Sequence, residues 1–249
     1  MTTSRFGLIS DIDPERPETW EESVFLTLDI DWAHDTVIRD AIDLIEGFDV
    51  PATWFITHDT PMVARLRSNP RFELGIHPNF NWLLDGDPRN GANAEEVVDR
   101  LLLLVPEARS VRSHAMTQSS NLISMFRKKG LTHDANHFIP EQSGIELKPW
   151  RHWGDVVKVP YFWEDDVHCL SAQNSSIGEL VARPGLRVFD FHPIHIFLNT
   201  EDMARYEDAR GCFADPGQLT ERRNTEGLGA RNLLVELLAA VKRGGGDDV

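Results

Sequence analysis

Two aspartates, Asp29 and Asp31, close the run Val24-Phe25-Leu26-Thr27-Leu28-Asp29-Ile30-Asp31, and three other short runs end in histidine. Phe72–Ile76 leads into His77, Ser110–Ser113 into His114, and Leu186–Phe191 into His192-Pro193-Ile194-His195. If the first run is a strand, side-chain alternation puts Asp29 and Asp31 on one face at its C-terminal end. Two such carboxylates repel each other unless a cation or a proton is shared between them. A divalent metal on Asp31 would resolve the conflict and leave Asp29 as a base for the proton of an attacking water. For a lone aspartate here, capping the turn toward Asp35 is the favoured reading. The pair together with His77, however, is a carboxylate and imidazole set suited to a divalent metal.

The elements that must position these groups alternate. Strands are predicted at 24–31, 51–57, 72–76, 110–113, 131–138, 155–162 and 186–191. Helices are predicted at 36–47, 61–66, 93–105, 120–129 and 230–243. Pro106 should end the third helix and Gly130 the fourth. Strands and helices in this order imply parallel βαβ units, and seven strands suit a closed or nearly closed barrel with its active face at the strands' C-terminal ends. Residues 81–93 read as a loop. Residues 199–229 read as irregular chain with one helix over 201–209, shaping access or serving as cover.

The chain has 249 residues, 41% hydrophobic, enough for one full core. A single domain over 1–243 with a disordered tail over 244–249 is expected. A formal charge of -15 opposes binding to nucleic acid. Cys169 and Cys212 have no CxxC spacing, so neither a disulfide framework nor a zinc knuckle is indicated. With no run of ~18 apolar residues and no signal-like start, a cytoplasmic protein is expected. Its oligomeric state is not legible.

Taken in order, these motifs resemble the polysaccharide deacetylases of carbohydrate esterase family four, with the NodB-homology fold. Leu28-Asp29-Ile30-Asp31-Trp32 resembles a spaced form of the family's Asp-rich strand end. Pro51-Ala52-Thr53-Trp54-Phe55-Ile56 is similar to its second strand, and Glu73-Leu74-Gly75-Ile76-His77 to its metal-binding motif. Arg112 stands where the family has an arginine that tethers the base. Residues 160–166 fall near its fourth motif, and Phe191-His192-Pro193-Ile194-His195 matches its late histidine. The resemblance spans 24–198 and implies an α/β fold, a deformed (β/α)7 barrel.

The family places a second histidine four residues after the first, where this chain has Asn81. His-Pro-Asn-Phe in this place resembles a WbmS-like subgroup associated with O-antigen and surface-polysaccharide gene clusters. Asn81, a water, or His114 from the next strand would then complete a metal shell begun by Asp31 and His77. The ion would be zinc first, with nickel, cobalt or iron as alternatives. The resemblance further implies that Asp29 is the base, Arg112 its tether, His195 or His192 the acid that protonates the departing amine, and Asp165 or Asp166 the partner of that histidine. His195 is preferred on side-chain parity, since Pro193 disturbs a regular strand.

Trp32, Trp82, Trp163 and Phe80 could form a sugar-stacking wall or simply belong to the core. His133, Asp134, Asn136 and His137 could contact substrate or satisfy one another. His34, His58, His152 and His168 read as surface or core residues. The expected function is metal-dependent removal of an N-acyl group, N-acetyl first, from an amino sugar or glycan precursor of surface polysaccharide. An amide or imide hydrolase acting on a non-sugar substrate and a non-catalytic glycan-binding relic are the competing readings.

Overall fold

A computed structural model describes residues 5–170 and 175–244, with side chains described as far as 241. The strands are β1 (Arg5–Gly7), β2 (Ser23–Asp29), β3 (Ala52–Ile56), β4 (Phe72–Ile76) and β5 (Ser110–Val111). They continue with β6 (His133–Asp134), β7 (Trp150–Arg151), β8 (Val157–Lys158), β9 (Trp163–Glu164) and β10 (Arg187–Phe191). The first helices are α1 (Asp35–Glu46), α2 (Met62–Ser68), α3 (Asn81–Leu84), α4 (Ala94–Leu104) and α5 (Ser120–Lys128). The later ones are α6 (Asp165–Leu170), α7 (Ile177–Ala182), α8 (Pro193–Leu198), α9 (Met203–Ala209), α10 (Pro216–Glu221) and α11 (Ala230–Gly244).

The strands lie in the order β7-β8-β6-β5-β4-β3-β2-β10-β9, with β1 beside β2, and curl into a deformed α/β barrel. Every pairing is parallel except that of β7 with β8. The central strand β2 is buried at every residue. Such a strand is covered on both faces, which is why it reads as a nearly unbroken apolar run. The helix α1 buries Val37, Ile38, Ala41, Ile42 and Ile45 along one stripe, and the His34 imidazole caps it by accepting from the Thr36 N–H.

All seven predicted strands occur, although β6 and β8 are far shorter than predicted. Strands β1, β7 and β9 and helices α6 and α7 were not predicted, and the structure departs from the expectation elsewhere as well. Strand β2 stops at Asp29, and Asp31 and Trp32 take left-handed conformations with φ of 36° and 54°, so alternation does not place Asp31. The stretch after Phe191 is helical, because Pro193 fits the first turn of α8, where no N–H is needed. The predicted loop over 81–93 contains α3, and 199–229 contains α10 besides α9. Of the predicted tail over 244–249, Gly244 closes α11 and the rest lies outside the described residues.

Candidate metal centre

The polar residues gather at the C-terminal ends of the parallel strands. Asp29 ends β2, His77 follows β4, Arg112 and His114 follow β5, and His192 follows β10. Asp31 reaches the same place from the left-handed turn after β2. That turn is held by the Trp32 N–H, which donates to the Thr57 hydroxyl at 3.1 Å.

Three donor atoms form a nearly equilateral triangle. His77 Nε2 lies 3.3 Å from Asp31 Oδ1 and 3.3 Å from His114 Nδ1, and His114 Nδ1 lies 3.4 Å from Asp31 Oδ1. A hydrogen bond between the two imidazoles would account for one edge only, and Asp31 Oδ1 is buried with no hydrogen-bond partner. Ligand atoms ~2.0–2.1 Å from a tetrahedral ion stand ~3.3–3.4 Å apart, so the triangle fits one face of such a site. Two imidazoles and a carboxylate also suit zinc in donor type. Burial would raise the Asp31 pKa, but His114 and His77 outweigh it and hold the carboxyl well below its usual range. His77 shows the reverse: burial opposes its charge, yet Asp29 and Asp31 raise its pKa.

Asn81 has polar partners of its own. As the first residue of α3 it accepts from the Thr117 hydroxyl at 3.4 Å, and its N–H donates to Asn79 Oδ1.

Behind the triangle, Arg112 is almost wholly buried and joins two carboxylates. Its Nη1 lies 3.1 Å from Asp29 Oδ1 and also bonds Asp190 Oδ1. Burial disfavours the guanidinium charge, but Asp190 and Asp29 more than compensate and raise its pKa. Asp29 Oδ2 in turn lies 3.3 Å from His77 Nδ1, so this carboxylate also faces the ring nitrogen of His77 that points away from the triangle.

The two late histidines separate. His192 Nδ1 lies 2.7 Å from Asp165 Oδ1, its N–H donates to Asp165 Oδ2 at 2.8 Å, and its Nε2 faces Asp31 Oδ2 at 3.7 Å. Burial works against the His192 charge, but Asp165, then Asp31 and Asp190, hold its pKa well above the usual value. His195 instead shares a hydrogen bond with the Thr200 hydroxyl at 3.1 Å and packs beside Tyr206. Burial lowers its pKa. Both histidines line a cavity of about 330 Å³ together with Asp31, Trp32, His114 and Tyr206.

Of the aromatic residues singled out, Trp32 lines this cavity with its ring edge-on to His114, while Phe80 and Trp163 are core. Trp82 is covered by the Arg89 guanidinium. Asp166 and His34 also line the cavity. Sequence reasoning gave Asp190 no role. Its signal was a lone carboxylate inside the apolar strand β10, a position that is costly unless paired.

A family model for WbmS-like polysaccharide deacetylases matches residues 26–210. The chain is similar to the crystal structure of a Bordetella bronchiseptica protein designated a polysaccharide deacetylase involved in O-antigen biosynthesis. The identity is 48% and the TM-score 0.86, covering 96% of this chain and 98% of that one. A Mycobacterium smegmatis protein designated a polysaccharide deacetylase matches at 15% identity and a TM-score of 0.48, over 89% of this chain and 90% of that one. No match is found among curated proteins.

Proposed function

Because the chain belongs to the WbmS-like polysaccharide deacetylase family, we propose that it is a divalent-metal-dependent hydrolase of amino-sugar N-acyl groups, N-acetyl first, acting on a glycan or glycan precursor of O-antigen or related surface polysaccharide. The observation that carries this reading is the Asp31–His77–His114 triangle beside two supported groups, Asp29 held by Arg112 and His192 held by Asp165.

Asp31, His77 and His114 would hold the ion, zinc first. When bound it supplies a Lewis acid for the acyl carbonyl and acidifies water. Asp29 is the base. Arg112 keeps it aimed by bonding Oδ1, so the carboxylate can accept the proton of the attacking water. His192 is the acid. Asp165 fixes its Nδ1, directs Nε2 toward Asp31 and favours the protonated ring, which donates to the departing amine nitrogen. Asp190, bonded to Arg112 and to the Thr27 hydroxyl at 2.7 Å, is a positioning residue for Asp29.

The test pairs elemental analysis with acetate release from a panel of N-acetylated amino sugars. The zinc-loaded parent should carry near one ion per chain, lost in Asp31→Ala and His77→Ala. Asp29→Ala should keep its fold while turnover drops by ~10²–10⁴-fold. A parent that takes up no divalent ion sinks the metal-dependent mechanism. Undiminished turnover in Asp29→Ala sinks the assignment of the base.

A further inference from the structure

One buried charge pair stands outside the reaction described so far. Asp134 and Lys158 face each other on β6 and β8, both with no solvent exposure, and Lys158 Nζ lies 2.6 Å from Asp134 Oδ2. A buried ion pair contributes little net stability compared with a well-packed apolar pair, so its place here invites another role.

Its hydrogen bonds lead to His114. Asp134 Oδ1 accepts from the Asn136 side-chain amide at 2.8 Å and from the Asn136 N–H at 3.0 Å. With its amide so held, Asn136 presents Oδ1 to the Ser113 N–H at 2.7 Å. Lys158 also donates to Gln118 Oε1 at 3.4 Å, and Gln118 Nε2 donates to the Asn136 carbonyl at 3.3 Å. The His114 N–H is bonded at 3.0 Å to the carbonyl of Pro78, the residue after His77. Beyond His114 the chain turns through left-handed Ala115 and Met116, with φ of 54° and 53°. Two N–H anchors at Ser113 and His114 therefore precede a turn whose backbone would otherwise have easier conformations.

We propose that Lys158, Asp134 and Asn136 form a positioning relay that sets His114 Nδ1 at its distance from His77 and Asp31, and so sets the affinity of the site for a divalent ion. This rests on the metal reading above. His114 follows a different strand from His77 and so needs its own support, which the relay supplies.

The test is zinc affinity, measured by competition with a chromophoric chelator, in Asn136→Ala, His114→Ala and the combined variant. Asn136→Ala should weaken zinc binding ~10–100-fold, the usual effect of losing a residue that orients a ligand. The same substitution made in His114→Ala should cause no further loss. Should Asn136→Ala fail to fold, Asp134→Leu with Lys158→Met removes the relay's origin while keeping an apolar pair between β6 and β8, and it should weaken zinc binding in the same direction. A purely structural role would move the melting temperature and leave the zinc dissociation constant unchanged. Parent-like zinc affinity in a folded relay variant overturns the relay alone. Parent-like affinity in His114→Ala overturns the metal reading and the relay with it.

Discussion

At the scale of single residues, the site divides its histidines by what each second ring nitrogen touches. His192 has a carboxylate behind it and faces Asp31, whereas His195 has the Thr200 hydroxyl and Tyr206 beside it. In the acid role, His192→Gln should lower kcat by ~10²–10⁴-fold, and His195→Gln should cost less, since its ring orders the cavity wall. Steady-state kinetics on both variants checks this, and equal losses would return His195 to candidacy. The motifs His77, His114 and His192-Pro193-Ile194-His195 were legible in the sequence because each ends a run with a residue suited to ligation or proton transfer. The choice between His192 and His195 was not, because it depends on where β10 gives way to α8. Nor was it legible that His114 Nδ1 comes within 3.4 Å of Asp31 Oδ1, since that contact joins separate strand ends across the barrel mouth.

At the scale of elements, short parallel strands deliver these groups, and their spacing depends on close packing at one glycine. A Cβ built on Gly75 in β4 would lie 2.5 Å from the Ser110 hydroxyl of β5 and 2.7 Å from the Phe55 ring of β3. The lack of a side chain there lets β3, β4 and β5 pair closely and brings His77 and His114 to one place. Gly75→Ala should therefore cost ~1–3 kcal/mol from overpacking and weaken metal binding, as checked by urea denaturation and zinc titration. A fully stable variant with parent affinity would show that the strands can yield. The turn after β2 works by a different means. Asp31 and Trp32 occupy left-handed backbone, which costs free energy for non-glycine residues and persists here under the Thr57 bond. A local pattern of alternating side chains cannot signal such a turn, so Asp31 comes near His77 by a route the expectation did not contain.

At the scale of the whole molecule, the barrel interior holds several carboxylates around Arg112, and their burial carries a pH signature. Burial, then Asp166 and Asp190, push the Glu164 carboxyl up to about 9. A folded-state pKa raised above the unfolded value gives stability that is fully present below ~4.3 and is lost as pH rises through the folded-state pKa. The melting temperature of the metal-free protein should therefore fall as pH rises from 6 toward 9.5, and Glu164→Gln should flatten that fall. An unchanged slope in the variant would place the effect on other groups. Periodicity and punctuation made the α/β barrel legible, as in the apolar β2, the stripe on α1 and the proline after α4, because each depends on residues within a turn or two of one another. The Asp29–Asp31 pair and the histidine run ends marked the candidate site for the same reason: residue type and local position are properties of the chain. Only the tertiary structure decided that Asp190 shares Arg112 with Asp29, that Lys158 and Asp134 meet behind His114, and that three donor atoms stand 3.3–3.4 Å apart. Those relations join strands far apart in sequence, and their distances are set by barrel curvature and by packing at residues such as Gly75, which no local window of sequence contains.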